Sequence, residues 1–212
     1  MPDSQGNPTG LRPPRSADVA ARAEATRQLL IDSARTLFVE QGYFHTGTEE
    51  IVQRAGVTRG ALYHHFADKK ALFRAVFEAI ETELMSAARP AGSAGAFDQL
   101  RDGLLGFLDA SLTPQVQRVL LIDGPAVLGW HEWRTLEAQY GLGALRRMLT
   151  DAIADGTLTP QPVEVLANIL LAALDEAALY IANAPDQPAA RDASVTAMDG
   201  LLSGLRSTGA RR

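Results

Sequence analysis

Along most of this chain apolar residues return every three or four positions, with polar residues between them. Leu30, Ala34, Leu37 and Phe38 do so from about Ala23 to Gln41, which predicts an amphipathic helix stopped by Gly42. Tyr43 and Phe44 follow in a loop, where they are expected to lock this helix against its neighbours. Thr48 predicts the capped start of a short second helix presenting Ile51, Val52 and Ala55 on one face. Gly56 then permits a sharp turn, Val57 fills the crease, and Thr58 offers an acceptor to the start of a third helix. In that helix Leu62 and Phe66 stand one turn apart and face inward, leaving Arg59, Gly60, Tyr63 and His64 on the opposite side. Asp68 is placed to cap a fourth helix reaching about Arg89, striped by Leu72, Val76, Ile80 and Leu84 with Phe73 and Phe77 beside them.

Residues 89–96, RPAGSAGA, read as a linker of small and turn-forming residues. Five further helices are predicted beyond it. They span Phe97–Leu112, Pro114–Asp123 with a break at Gly124-Pro125, Trp130 to about Ala154 with an interruption at Gly141 and Gly143, Pro162–Ala184, and about Ala189 to Leu205. No stretch alternates with a period of two, so the fold class is all-α, with about nine helices. The organisation expected is an arm over residues 1–22, a head over 23–67, a connecting helix over 68–90, a larger helical domain over 91–207 and a tail over 208–212.

Composition narrows the picture. A chain of 212 residues with 46% hydrophobic and 21% charged residues has the make-up of a globular protein rather than a disordered one. It has no cysteine, hence no disulfide and no thiolate metal site, and its amino terminus lacks an apolar segment of signal-peptide type. The most apolar run, Ile169–Leu174, is too short to span a bilayer, so a cytoplasmic protein with no membrane partner is expected. The net charge of −5 divides unevenly. Through Arg89 there are eleven Lys/Arg and eleven Asp/Glu, and from Pro90 onward nine against fourteen. The first half is therefore neutral and the second acidic, unlike a general nucleic-acid coat, whose affinity comes from many cations on phosphate. A DNA binder of this composition relies on a few placed cations and on groove fit.

Two helices joined by a glycine turn, the second with a polar outer face, form the unit that enters the major groove in helix-turn-helix proteins. Over residues 26–77 the chain resembles the DNA-binding head of the tetracycline-repressor (TetR) family of bacterial transcription regulators. The resemblance rests on Ala34, Leu37 and Phe38, the Gly42-Tyr43 exit, Ala55-Gly56-Val57, the run Leu62-Tyr63-His64-His65-Phe66, and Lys69, Leu72 and Phe73. It implies phosphate contacts from Tyr63, Lys69 and His65, the alternative for His65 being a half-buried packing role. It also implies a DNA surface extending to Thr48 and Thr58. Arg59 and His64 are the candidates for reading base edges, since an arginine can donate twice to guanine, and Gly60 removes bulk from the helix surface. Arg12, Arg15 and Arg22 in the arm are candidates for phosphate or a neighbouring minor groove, against the alternative of a solvated tail.

For the second half, the resemblance implies a homodimer through the last two helices, whose apolar stripes carry Ala172, Ala173, Ala177 and Ala178. It also implies a small-molecule effector pocket enclosed by helices five to eight. Trp130, Trp133 and Tyr140 cluster on the seventh helix as apolar surface with polar handles. Asp123 and Asp175 lie in apolar neighbourhoods where a carboxylate needs a partner, either Arg118, Arg134 or a cationic or hydroxylated ligand. The function expected is a ligand-released repressor on double-stranded operator DNA. An activator of the same fold and a helical protein-interaction module are the alternatives.

Enzyme chemistry finds no support. Ala91-Gly92-Ser93-Ala94-Gly95 resembles a nucleophile elbow only in outline, with Ala at the first glycine position and no strand before it. Gly141-Leu142-Gly143 lacks the third glycine of a dinucleotide loop, Arg146 standing there instead. His64 and His65 are sequence neighbours on different helical faces, and His131 has no spaced metal partner, so neither a cofactor nor a metal is expected.

Overall fold

Helix α1 begins at Ser16 and runs to Gln41, seven residues earlier than its apolar periodicity indicates. From Asp18 to Leu29 it carries no buried side chain, so no apolar stripe marks that stretch in the sequence. The computed structural model describes residues 16–87 and 95–207. Most of the expected linker, and Arg12 and Arg15 of the arm, fall outside the described residues; Arg22 is an exposed residue of α1. Helices α2 (Thr48–Ala55) and α3 (Arg59–His65) pack on α1. The turn between them depends on Gly56, whose φ of +66° is left-handed backbone that a side chain would strain. Thr58 caps α3 as expected, accepting from the Ala61 N–H at 3.2 Å. Thr48 does not cap α2: Gly47 occupies the cap position without a side-chain bond, and Thr48 is already the first helical residue.

Asp68 accepts from the Ala71 N–H at 2.7 Å at the start of α4 (Lys69–Ala87). The predicted stripe of α4 is buried throughout, and Phe38 stacks tilted on Phe73 at 5.5 Å between ring centres. Tyr43 joins that cluster edge-on to Phe73 at 5.2 Å, whereas Phe44 points outward and is 64% exposed. Of the two loop aromatics, only Tyr43 locks the head.

The body begins with α5 (Ala96–Ala110). Next comes α6, a π-helical segment Val116–Asp123 passing directly into Gly124–Leu128. The break expected at Gly124-Pro125 is absent because Pro125 stands in the first turn of the α-helical part, where its missing N–H has no bond to make. The chain breaks instead at Gly129, at φ +85°. Helix α7 runs Trp130–Glu137, through a π turn Ala138–Leu142, into Gly143–Ala154. Its predicted interruption is thus a change of hydrogen-bond register and leaves the helix continuous. Helices α8 (Val163–Asn183) and α9 (Gln187–Gly204) complete the body. The end of α9 is tied to the α7–α8 loop by the Thr159 N–H on the Leu205 carbonyl at 3.0 Å.

One hydrophobic cluster runs without a gap from Leu30 and Phe38 of the head, through α4, to Leu174 and Leu202 of the body. By length and apolar content α8 is able to cross a membrane, which the short run Ile169–Leu174 does not reveal. Here it packs against α5, α6, α7 and α9 and leaves one face uncovered.

Candidate DNA interface and effector cavity

Packing Leu62 and Phe66 inward turns the other side of α3 to solvent. Arg59, Gly60, Tyr63 and His64 are exposed there, and His65 is half-buried with its ring 5.2 Å from that of His64. The Arg59 guanidinium is held by Glu49 at 2.7 Å and lies 5.6 Å from the centre of the Tyr63 ring. This exposed pair presents a pre-oriented cation above α3, and the Glu49 end of α2 closes its side. A Cβ added to Gly60 would meet nothing nearer than the Thr58 hydroxyl at 3.8 Å, so the backbone is open to close approach.

Lys69 has a structural role that the sequence does not announce. Its ammonium donates to the carbonyls of Tyr43 and Thr46, both at 2.9 Å, and sits 4.0 Å from the centre of the Tyr43 ring. Burial pushes its pKa below the usual lysine range. The side chain therefore stitches the α1–α2 loop to the start of α4, and one of its three N–H donors remains beyond those two bonds.

Arg118 and Asp123 do not line the cavity; they join the head to the body. The Asp123 carboxylate is buried, accepts the Tyr43 N–H at 2.8 Å and pairs with Arg118 Nε at 3.3 Å. The Arg118 guanidinium lies over Gly42 at the end of α1. Lys70 adds bonds to Glu132 at 3.0 Å and to the Leu128 carbonyl at 3.3 Å. Asp123→Ala leaves Arg118 and a loop N–H without their acceptor; the expected loss is about 2 kcal/mol, hence a fall of roughly 4–8 °C in Tm by calorimetry.

A cavity of about 430 Å³ opens between α4, α5, α6, α7 and α8. Its walls are mainly apolar, with Leu104, Phe107, Leu120, Leu145 and Leu174 among them, and Gln99, Arg147 and Asp151 also line it. Of the expected effector residues, Tyr140 and Asp175 are at the cavity. Trp130 is 65% exposed and Trp133 is buried behind the wall, its indole N–H donating to the Leu120 carbonyl at 3.1 Å. Both indoles flank the Arg134 guanidinium, at 5.9 and 5.6 Å from their ring centres. Arg134 in turn bonds Glu137 at 2.8 Å and Asp175 at 2.6 Å. The tryptophans hold the cation that holds the wall carboxylates.

Glu81 is the buried cavity acid that sequence reasoning missed, as it missed Gln99, Arg147 and Asp151; Glu137, on one helical face with Trp130 and Trp133, lines the cavity beside it. Glu81 is 5% exposed and has no hydrogen bond or ion pair with any described residue. Burial, reinforced by Asp175, pushes its carboxyl up to about 8. Burial, then Asp175, pushes Glu137 up to about 9, while burial raises Asp175 to about 6 against the pull of Arg134. The available signal was an acid one turn after Phe77 and beside Ile80, inside the apolar stripe of α4.

Comparison with known proteins agrees with this architecture. Residues 30–76 match the family model for bacterial regulatory proteins of the tetR family, and residues 97–205 match the tetracyclin repressor-like C-terminal domain. The chain is 29% identical to the Transposon Tn10 TetC protein of Escherichia coli over 154 residues, covering 69% of this chain and 75% of that one. It is 30% identical over 165 residues to the HTH-type transcriptional repressor Rv1474c of Mycobacterium tuberculosis, covering 76% and 85%. A crystal structure of a TetR-family transcriptional regulator from Pectobacterium atrosepticum superposes with a TM-score of 0.75 at 32% identity, covering 89% of this chain and 97% of that one. Regulators of this family bind operator DNA and small-molecule effectors and act as dimers. With a helix-turn-helix head and a helical effector domain both matched, this chain belongs to the TetR family of DNA-binding transcription regulators, which are not enzymes.

Proposed function

We propose that this protein is a homodimeric repressor that leaves its operator when a small molecule fills the body cavity. The observation that carries the release is that α4 and α6 serve both halves. α4 starts with the Lys69 clamp at the head and ends with Glu81, Leu84 and Met85 at the cavity. α6 places Leu120 and Leu121 at the cavity, and two residues later Asp123 holds the Tyr43 N–H of the head. A ligand that moves these helices changes the position of α3, so effector and operator oppose each other, and by reciprocity each weakens the other's binding.

On this reading α3 enters the major groove, with Arg59 and His64 reading bases. Tyr63, His65 and the remaining donor of Lys69 meet phosphates, with Thr48 and Thr58 at the rim. Thr58 spends its acceptor on the helix cap, which leaves its hydroxyl hydrogen for a phosphate. The dimer forms through α8 and α9. Val165, Ile169, Ala172 and Tyr180 make an exposed stripe on α8, and Ala193, Ala197 and Leu201 one on α9. Side by side these are the kind of apolar surface that a partner covers.

The test is selection of duplexes from a random DNA pool at about 0.15 M salt, using the wild type and an Arg59→Ala, Tyr63→Phe variant. Both substitutions lie on the exposed face of α3, so the variant is expected to melt at the wild-type temperature. An inverted repeat that the wild type enriches and the variant does not is the expected result. Equal weak retention of unrelated sequences by both proteins would replace the repressor with an interaction module.

A further inference from the structure

We propose that the effector of this protein is an amphipathic organic cation whose charge is received by Glu81 and the neighbouring Glu137–Asp175 pair. The proposal rests on the reading of the cavity as an effector site and specifies its chemistry.

Four observations carry it. The cavity is large enough, at about 430 Å³, for an organic molecule, and its leucine and phenylalanine walls favour an apolar body. Its polar end is acidic: Glu81 from α4, Glu137 from α7 and Asp175 from α8 all line it. One guanidinium, Arg134, serves Glu137 and Asp175, so three carboxyls share one cation. Glu81 is left nine-tenths buried, at the cavity, with no partner among the described residues. A carboxyl in that position needs either a proton or a positive charge. An anionic ligand would meet three carboxyls at this end, whereas a cation can take the place of the proton that otherwise neutralises Glu81.

The other ionisable groups lining the cavity are Tyr140, Arg147 and Asp151 of α7; α5 and α6 contribute no charged side chain to its lining. Because Glu81 and one carboxyl of the Glu137–Asp175 pair hold protons near neutrality, a cation displaces protons as it binds. Its affinity therefore rises with pH, by up to about tenfold per unit for each proton released, and levels off only once every displaced group would be ionised without the cation.

The experiment titrates the protein with decyltrimethylammonium, decanol and decanoate below their micelle concentrations, by calorimetry and by release of operator, at pH 6.5 and 8.5. The expected result is a cation affinity at least tenfold above that of decanol, with decanoate weakest, and a stronger preference at pH 8.5. Glu81→Gln removes the charge without opening the core. It is expected to keep decanol binding, to lose most of the preference for the cation, and to flatten its pH dependence. Equal binding of cation and alcohol by the wild type would overturn the cationic effector while leaving a ligand-responsive repressor. Binding of none of the three would overturn the proposal and the ligand reading of the cavity together. Tight cation binding with the operator still held would support the site and reject release.

Discussion

A chain carrying Ile169→Glu and Leu201→Glu is expected to remain helical but monomeric, and to bind a full operator about a thousandfold more weakly than the wild type. Each residue is 58% exposed in the single chain, so a carboxylate there meets water and leaves the cluster around Leu170, Leu174 and Leu202 intact. Across a symmetric interface the same substitutions bring four carboxylates into an apolar contact, where each loses its hydration without a partner. Operator affinity falls because a dimer binds its second half-site at an effective concentration set by the link between heads, a gain of about 10²–10⁴ that a monomer forfeits. Light scattering at increasing protein concentration reports the mass, circular dichroism the helix content, and a mobility shift on one and on two half-sites the loss of avidity. The single half-site is expected to bind both proteins alike. A variant that remains dimeric would move the interface away from α8 and α9.

Apart from the Thr48 cap and the packing of Phe44, the head was readable because its local rules point the same way. The Gly56 turn, the Thr58 and Asp68 caps and the inward pair Leu62 and Phe66 depend on neighbours within a few residues, and all stand where the sequence puts them. Arg118 and Asp123 were readable as a pair but not as a place. Their spacing of five residues brings them together only because α6 winds as a π-helix, and their third partner is the backbone of Tyr43, eighty positions earlier. Pro125 misled for a related reason: a proline signals a helix stop unless the helix changes register just before it. The tryptophans misled by size, since bulk alone does not distinguish a cavity wall from the residues supporting that wall. Glu81 was hidden by its neighbours, because an acid within an apolar stripe reads as an exposed edge until tertiary packing closes over it.

Coupling between the two halves follows from the same long-range contacts. Asp123 and Lys69 hold one loop from opposite sides, the first through the Tyr43 N–H and the second through the carbonyls of Tyr43 and Thr46. Movement of α6 at the cavity therefore reaches the loop that precedes α2 without passing through α4. Two routes to one head allow the Asp123→Ala variant to bind both DNA and effector yet respond weakly, since only the α4 route remains.

Raising the pH from 6 to 8 is expected to destabilise the wild type, relative to Glu81→Gln, by about 2–3 kcal/mol. The sign follows from the direction of the shift. Glu81 lies near 4.5 in the unfolded chain and at about 8 in the folded one, so the folded state retains a proton that the unfolded state releases. The stabilisation is complete below about pH 4.5 and is lost as the pH rises towards 8, with a slope approaching about 1.4 kcal/mol per pH unit in between. Glu137 and Asp175 act in the same direction, since burial raises both, and they titrate as a pair around Arg134. Glu83 acts oppositely: its bond to Arg35 holds its carboxyl below the usual range, so that stabilisation is present at neutral pH and lost in acid. The difference between wild type and variant isolates Glu81 from these other groups. The glutamine keeps the size and loses the titration, so its urea midpoint is expected to fall less from pH 6 to 8 than that of the wild type, the gap between the two curves being the contribution of Glu81. Parallel curves would mean that the Glu81 carboxyl is already ionised at pH 6, and with it would go the stored proton that a cationic effector is expected to displace.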